Sequence, residues 1–207
     1  SVSLRTRVIY ITIIYTSVDT EKFIPRIKDA NETLIIGWIG SHSTTRYLEL
    51  LKDVFYKLSA RYKFILKIIG ASTHNIKIPG LEIINLKWSL ENEISEFQSL
   101  DIGVYPLPED KWMLGKTGFK TIQYMSVGIP CVVSNVGANR EIVQDGVNGY
   151  LAKTTDEWVE KISRLVVDEG FRQKMGISGR ETVERNYSLK VNAPRLLGIL
   201  EKIYKEN

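Results

Sequence analysis

The residues best suited to chemistry lie in one stretch, 114–139, which reads LGKTGFKTIQYMSVGIPCVVSNVGAN. Gly115 and Gly118 flank Lys116 and Thr117, and Phe119 and Lys120 follow at once. Apolar residues at spacings of three (Phe119, Ile122, Met125) predict a helix that starts near Gly118. Gly128 supplies its left-handed stop, and Pro130 bars its continuation. Cys131-Val132-Val133-Ser134 then reads as a short strand buried in a parallel sheet. Loop, helix start and buried strand are the parts of an anion site, because the first N–H groups of a helix can face a phosphate. Lys116 and Lys120 would add positive charge on either side. Lys120 lies where its charge opposes the helix dipole, so an anionic ligand explains it better than folding does. The plainer reading is a glycine-rich helix start with two solvated lysines, since such loops are common. The stretch alone leaves both readings open.

Other chemistries find little footing. The single cysteine, Cys131, sits inside an apolar run and reads as a buried structural thiol, which leaves no disulfide. His42 and His74 lie far apart and lack partners at zinc-ligand spacing, so no metal is expected. The formal net charge of +4 is spread along the chain without a block of like charges, which argues against a nucleic-acid arm. It suits small anions or the neighbourhood of an acidic membrane surface. The apolar segment Val8–Tyr15 is too short to span a bilayer, and a cytoplasmic protein is the default expectation. No G-x-G-x-x-G follows the first strand of the regular region, and no G-x-x-x-x-G-K-[ST] is present, so neither a dinucleotide fingerprint nor a P-loop is indicated.

The elements that must position the stretch alternate regularly. Residues 1–14, rich in β-branched side chains, read as a strand with a frayed start, and 15–25 as a polar connector. Buried strands are predicted at 34–39, 64–69, 81–86, 102–105 and 131–134, with a brief one near Tyr150. Helices are predicted after Thr45 (Tyr47, Leu48, Leu51, Val54, Phe55 and Leu58 on one face), at 91–99, from 119, from 140, and at 155–167, 169–185 and 189–204. Pro194 is expected to kink the last of these or to delay its start. Strand and helix in alternation give an α/β fold with a parallel sheet and helices on both faces. Ligands of such sheets bind at the carboxyl ends of the strands. Three loops at those ends, 40–45, 107–119 and 134–140, carry anion-friendly residues.

The order and spacing of several pieces carry a resemblance. They are Gly118-Phe119-Lys120, Gln123-Tyr124-Met125-Ser126-Val127-Gly128-Ile129-Pro130, Gly137, Arg140-Glu141-Ile142-Val143 and Gly146-Val147-Asn148-Gly149-Tyr150-Leu151. With Gly37-Trp38-Ile39-Gly40 as first strand, residues 15–204 resemble the C-terminal, donor-binding domain of retaining GT-B glycosyltransferases of the group 1 type. The resemblance implies a Rossmann-like fold forming one half of a GT-B enzyme. Residues 1–25 would be the end of a missing N-terminal domain and the connector, and residues 26–207 the nucleotide-sugar domain.

It also implies a hexosyltransferase acting in polysaccharide biosynthesis. Its substrate would be a nucleotide-diphosphate sugar, UDP- or GDP-linked, and its acceptor a glycan or lipid-linked glycan. No cofactor or metal is implied, and the isolated chain would be inactive. Peripheral contact with the inner face of the membrane, and a homodimer through the N-terminal strand, are further expectations. Carried over residue by residue, the diphosphate falls to Gly40, Ser41, Arg46, Lys116, Gly118, Phe119 and Lys120. The ribose and nucleobase fall to Gln123, Lys87 and Trp88, with Tyr105 and Trp112 closing the pocket. The family has a basic residue where this chain has Ser41, and glutamates where it has Gly115 and Gln123. No residue presents itself as the catalytic base. Those departures keep a non-catalytic nucleotide-sugar-binding or scaffolding module in view; a GT-B sugar-nucleotide epimerase would share the sheet, though the sequence shows no cluster of carboxylates and histidine for it.

Overall fold

The computed structural model describes residues 11–25, 33–71 and 76–206. Six strands form one sheet: β1 (Ile35–Ile39), β2 (Ile65–Ile69), β3 (Glu82–Leu86), β4 (Ile102–Tyr105), β5 (Cys131–Ser134) and β6 (Tyr150–Ala152). Their order across the sheet is β3-β2-β1-β4-β5-β6, and every neighbouring pair is parallel. The chain therefore winds outward in one direction from β1 to β3, then crosses back to β4 and winds the other way.

Alternation along β1 feeds two cores. Ile36 and Trp38 join the cluster beneath α1 (Lys52–Ser59) and α6 (Thr155–Val167), which holds Val54, Phe55, Leu58, Trp158, Ile162 and Leu165. Ile39 faces the other side, where α2 (Glu93–Gln98), α4 (Phe119–Ser126) and α7 (Glu169–Asn186) contribute Phe97, Ile122, Tyr124, Met125 and Val183. Helices thus cover both faces, as the alternation of the sequence requires. Local chemistry sets their ends. Thr154 Oγ1 accepts from the N–H of Glu157, whose carboxylate accepts in return from Lys153 and Thr154, so α6 begins where it was read to begin. Asp168 caps α7 in the same way, accepting from the N–H of Phe171 at 2.8 Å. At the far end of α4, Gly128 (φ 73°) donates to Met125 O, and Ile129 donates to Tyr124 O. This pair of hydrogen bonds closes the helix and turns the chain directly into β5.

Some elements differ from the sequence reading. Residues 42–51 wind as a 3₁₀ segment, His42–Leu51, before α1 begins. A further short helix, α3 (Lys111–Leu114), precedes the lysine loop. The helix α8 (Leu189–Glu206) runs through Pro194 without interruption. Of the strand expected over 1–14, residues 11–14 lie in no strand, with Ile11 and Ile13 at 85% and 62% exposure. Residues 1–10, 26–32 and 72–75, among them His74, lie outside the described part. The connector is instead fixed further along. Val18 bridges to Ser188, and Arg180 donates to the carbonyls of Thr20, Phe23 and Ser126, tying connector, α7 and the end of α4 together. Among the described residues no helix is long and apolar enough to cross a membrane.

Candidate donor site

The sheet opens where its winding reverses, between β1 and β4. Only Ile36 and Gly37 pair with β4, so the carboxyl end of β1 diverges from its neighbour. The phenol of Tyr124, fully buried on α4, fills the gap: its oxygen accepts from the N–H of Ile39 at 3.0 Å and lies 3.3 Å from Val104 O. Above that plug is a cleft of about 540 Å³. Ligands of open α/β sheets bind at this place, and the size suits a small organic molecule.

Several elements line it. The end of β1 brings Trp38, Ile39, Gly40 and Ser41, and the first turn of the 3₁₀ segment brings Thr44. Trp88 and Glu93 come from the loop after β3 and the start of α2. Tyr105 comes from β4, and Lys116 to Lys120 form the wall that leads into α4. Gly118 holds φ 66°, and a Cβ there would lie 2.4 Å from Ile142 Cδ1. Glycine alone fits this corner without strain, and the corner turns the lysine loop into the helix so that the first turn of α4 faces the cleft.

The two lysines differ in what holds them. Lys116 is half-buried in the wall, and no described residue pairs with its ammonium. Lys120 donates to Gln123 Oε1 at 2.9 Å, lies 3.8 Å from Glu93 Oε1 and sits over the Phe97 ring at 5.3 Å. Burial lowers its pKa, and the Glu93 carboxylate opposes that shift. The charge that sequence reasoning reserved for an anion thus has protein partners, and it also lines the cleft. Glu93 itself was not singled out in the sequence. It lies in the polar run Glu91-Asn92-Glu93, and nothing local distinguishes it from Glu91. Its carboxylate accepts from Trp88 Nε1 at 3.3 Å and from Gln123 Nε2 at 3.2 Å, both on Oε1.

The remaining expected residues divide. Gly40, Ser41, Gly118, Phe119 and Trp88 line the cleft. Gln123 is buried behind Lys120 and meets the site through its amide. Arg46 does not line the cleft; it is exposed and lies on its neighbour, with its guanidinium 3.2 Å from the Tyr47 hydroxyl. Lys87 points to solvent outside the lining, and Trp112 is 77% exposed on α3. Among the described residues no group of three His, Cys, Asp or Glu side chains could hold a metal ion.

Two neutral acids under the cleft give the protein an alkaline limit. Burial pushes the Tyr105 hydroxyl up to about 12, with Tyr47 adding to the effect, and pushes the Cys131 thiol up to about 12. Their folded values lie above the ordinary 10.0 and 9.0, so the stability they lend is complete below those values. It is lost as pH climbs towards about 12, because the unfolded chain ionises first. The thermal midpoint is expected to fall steadily from about pH 9 upward. Cys131→Ala should make that slope shallower, and identical pH profiles for the two proteins would contradict this account.

Sheet order, switch-point cleft and glycine corner define a Rossmann-like domain of the GT-B type. The chain belongs to the glycosyl transferases group 1 family, whose sequence profile matches residues 33–168. It is 22% identical over 188 residues to the capsular polysaccharide biosynthesis glycosyltransferase CapM of Staphylococcus aureus, covering 86% of this chain and 48% of that protein. The C-terminal domain of the glycosyl transferase group 1 protein LpcC from Francisella tularensis superposes with a TM-score of 0.68 at 22% identity, covering 83% of this chain and 99% of that one. Anabaena HepE, solved in complex with UDP-glucose, gives 0.73 at 12% identity over 92% of this chain and 57% of that one. These structural likenesses carry the fold. The chain spans about half the length of CapM.

Proposed function

We propose that this chain is the donor-binding half of a glycosyltransferase. The enzyme moves a sugar from a nucleoside diphosphate to a glycan or lipid-linked glycan, with retention at the anomeric carbon and without a metal. One observation carries the reading. The first turn of α4, turned by Gly118, and the unpaired ammonium of Lys116 open onto the same cleft as the half-exposed Trp88 indole. An anion-binding end and an aromatic platform in one cleft suit a nucleotide diphosphate. The family supports sugar transfer, and the HepE structures hold UDP and UDP-glucose.

Transfer requires that the departing diphosphate be stabilised while the glycosidic bond to it breaks and negative charge builds on its oxygens. Lys116 and the N–H groups at the start of α4 are placed for that work. In the same reading, the apolar side chains that α8 leaves exposed, Leu197, Leu200 and Ile203 among them, belong against the acceptor-binding half. Calorimetric titration with UDP, GDP and ADP tests the donor assignment. Binding of one of them is expected, and Lys116→Gln should weaken it roughly tenfold, about 1.4 kcal/mol, for loss of one charge-assisted contact. Silence across the three nucleotides would favour a scaffolding module instead.

A further inference from the structure

Behind the lysine wall lies a small group of buried polar side chains. Thr121, Ser134 and Asn139 are each at most 6% exposed, and none of them lines the cleft. Asn139 makes two bonds across this group. A carbonyl can only accept, so the Asn139 amide nitrogen faces Ser134 O and donates to it at 3.0 Å. Its oxygen accepts from Thr121 Oγ1 at 2.8 Å, in the first turn of α4. The Ser134 hydroxyl in turn accepts the N–H of Leu107 at 2.7 Å, where the loop to Lys116 leaves β4. Both ends of that loop are thus bonded into one buried chain of polar groups.

The bond to Ser134 O also closes residues 134–139 into a compact turn, together with the N–H of Val136 on the same carbonyl at 2.8 Å. That turn is the seat of the lysine loop. Val136 packs with Tyr47, Leu107 and Met113, and Gly137 lies so close to α3 that a Cβ there would stand 2.8 Å from Met113 O. The N–H of Lys116 donates to the same Met113 O at 3.1 Å. One atom of the Asn139 carboxamide therefore grips the start of α4, and the other shapes the turn on which Lys116 is carried. We infer that Asn139 is a positioning residue for the anion end of the cleft, holding the Lys116 loop and the first turn of α4 in fixed relation without touching the ligand. The inference rests on the donor-site reading above and adds to it the residue on which the placement of Lys116 depends. Groups held in place beforehand lose little freedom when a diphosphate binds, so affinity depends on the arrangement as well as on the charge.

The test is a double-mutant cycle read by calorimetric titration of the 207-residue chain with UDP, GDP and inorganic pyrophosphate, at a temperature where each variant is folded. Lys116→Gln is made in the wild-type background and in Asn139→Ala, Thr121→Val and Thr121→Ser, the last of which keeps the hydroxyl. In the wild-type background it should weaken binding of the preferred ligand about tenfold. In Asn139→Ala and in Thr121→Val the same change should cost less than about threefold, because the lysine has already lost its place. In Thr121→Ser the tenfold loss should return. Should Asn139→Ala fail to fold, the contrast between Thr121→Val and Thr121→Ser decides the matter. Side chains that serve folding alone would lower the melting temperature and leave the cost of Lys116→Gln at about tenfold in every background, which overturns the inference and leaves the donor reading standing. No loss from Lys116→Gln in the wild-type background also overturns it. Absence of binding of all three ligands by the wild-type chain removes the donor reading, and this inference with it.

Discussion

Gly118→Ala should cost the protein both stability and ligand binding. The backbone at Gly118 sits at φ 66°, where an L side chain costs about 1–2 kcal/mol. The added Cβ would also stand 2.4 Å from Ile142 Cδ1 and 3.2 Å from Asn139 Oδ1. Neither neighbour has room to retreat. Ile142 is 3% exposed in the core, and Asn139 Oδ1 accepts from Thr121 while its amide donates to Ser134 O. Overpacking of this kind adds about 1–3 kcal/mol. A total of roughly 2–5 kcal/mol corresponds to a drop of about 4–20 °C in the melting midpoint for a domain of this size. The first turn of α4 moves with the corner, so nucleoside-diphosphate affinity should fall more than tenfold at a temperature where the variant is still folded. Differential scanning calorimetry and titration measure the two losses separately. An unchanged midpoint would mean that the corner is looser than its geometry states.

Tyr124→Phe should act on stability far more than on binding. The ring stays, and so does its edge contact with Phe97 at 5.2 Å between centroids. What goes is one oxygen at the parting of β1 and β4. The Ile39 N–H loses its acceptor in a region with no access to water, and the Gly37 and Val104 carbonyls lose the hydroxyl beside them. An orphaned buried donor costs about 1–3 kcal/mol, whereas trimming an exposed phenol costs almost nothing. Tyr204→Phe, at 85% exposure, is the fitting control. Equal midpoints for the two variants would show that the plug carries no load. The lining residues Ile39 and Gly40 follow the affected N–H, so a small loss of ligand affinity should accompany the loss of stability.

Most of the scaffold was legible in the sequence because its determinants are local. The buried strands are short, mostly apolar runs, three of which are followed at once by Gly40, Gly70 and Pro106, and α6 begins at a threonine answered three residues later by glutamate. Gly128 closes α4 through bonds that span only a few residues. The site was legible in part, for the same reason. Gly118, Lys116 and Phe119 stand in one loop, and Trp88 directly follows a strand. The arrangement that decides what Lys120 does was not legible, because Glu93 and Gln123 meet across 30 residues of sequence. Arg46 was placed by its spacing from Gly40 in the resemblance, and spacing alone does not say that the segment after β1 carries it onto Tyr47 and outside the lining. Within that segment Thr45, Leu48 and Leu51 are spaced by three and buried, the stripe of a tighter helix.

That segment, His42–Leu51, sets a dimension as well as a face. Ten residues of 3₁₀ winding extend about 20 Å, where α winding would give about 15 Å. Its far end is fixed, since Leu51 is wholly buried and passes into α1. The near end carries Ser41 and Thr44 on the lip of the cleft. The pitch of this helix therefore acts as a spacer about 5 Å longer than the same residues would otherwise supply. The width of the cleft mouth is in that sense a property of how a backbone is wound several residues away, and a substitution that restored ordinary winding would narrow or widen the entrance without touching any residue that lines it.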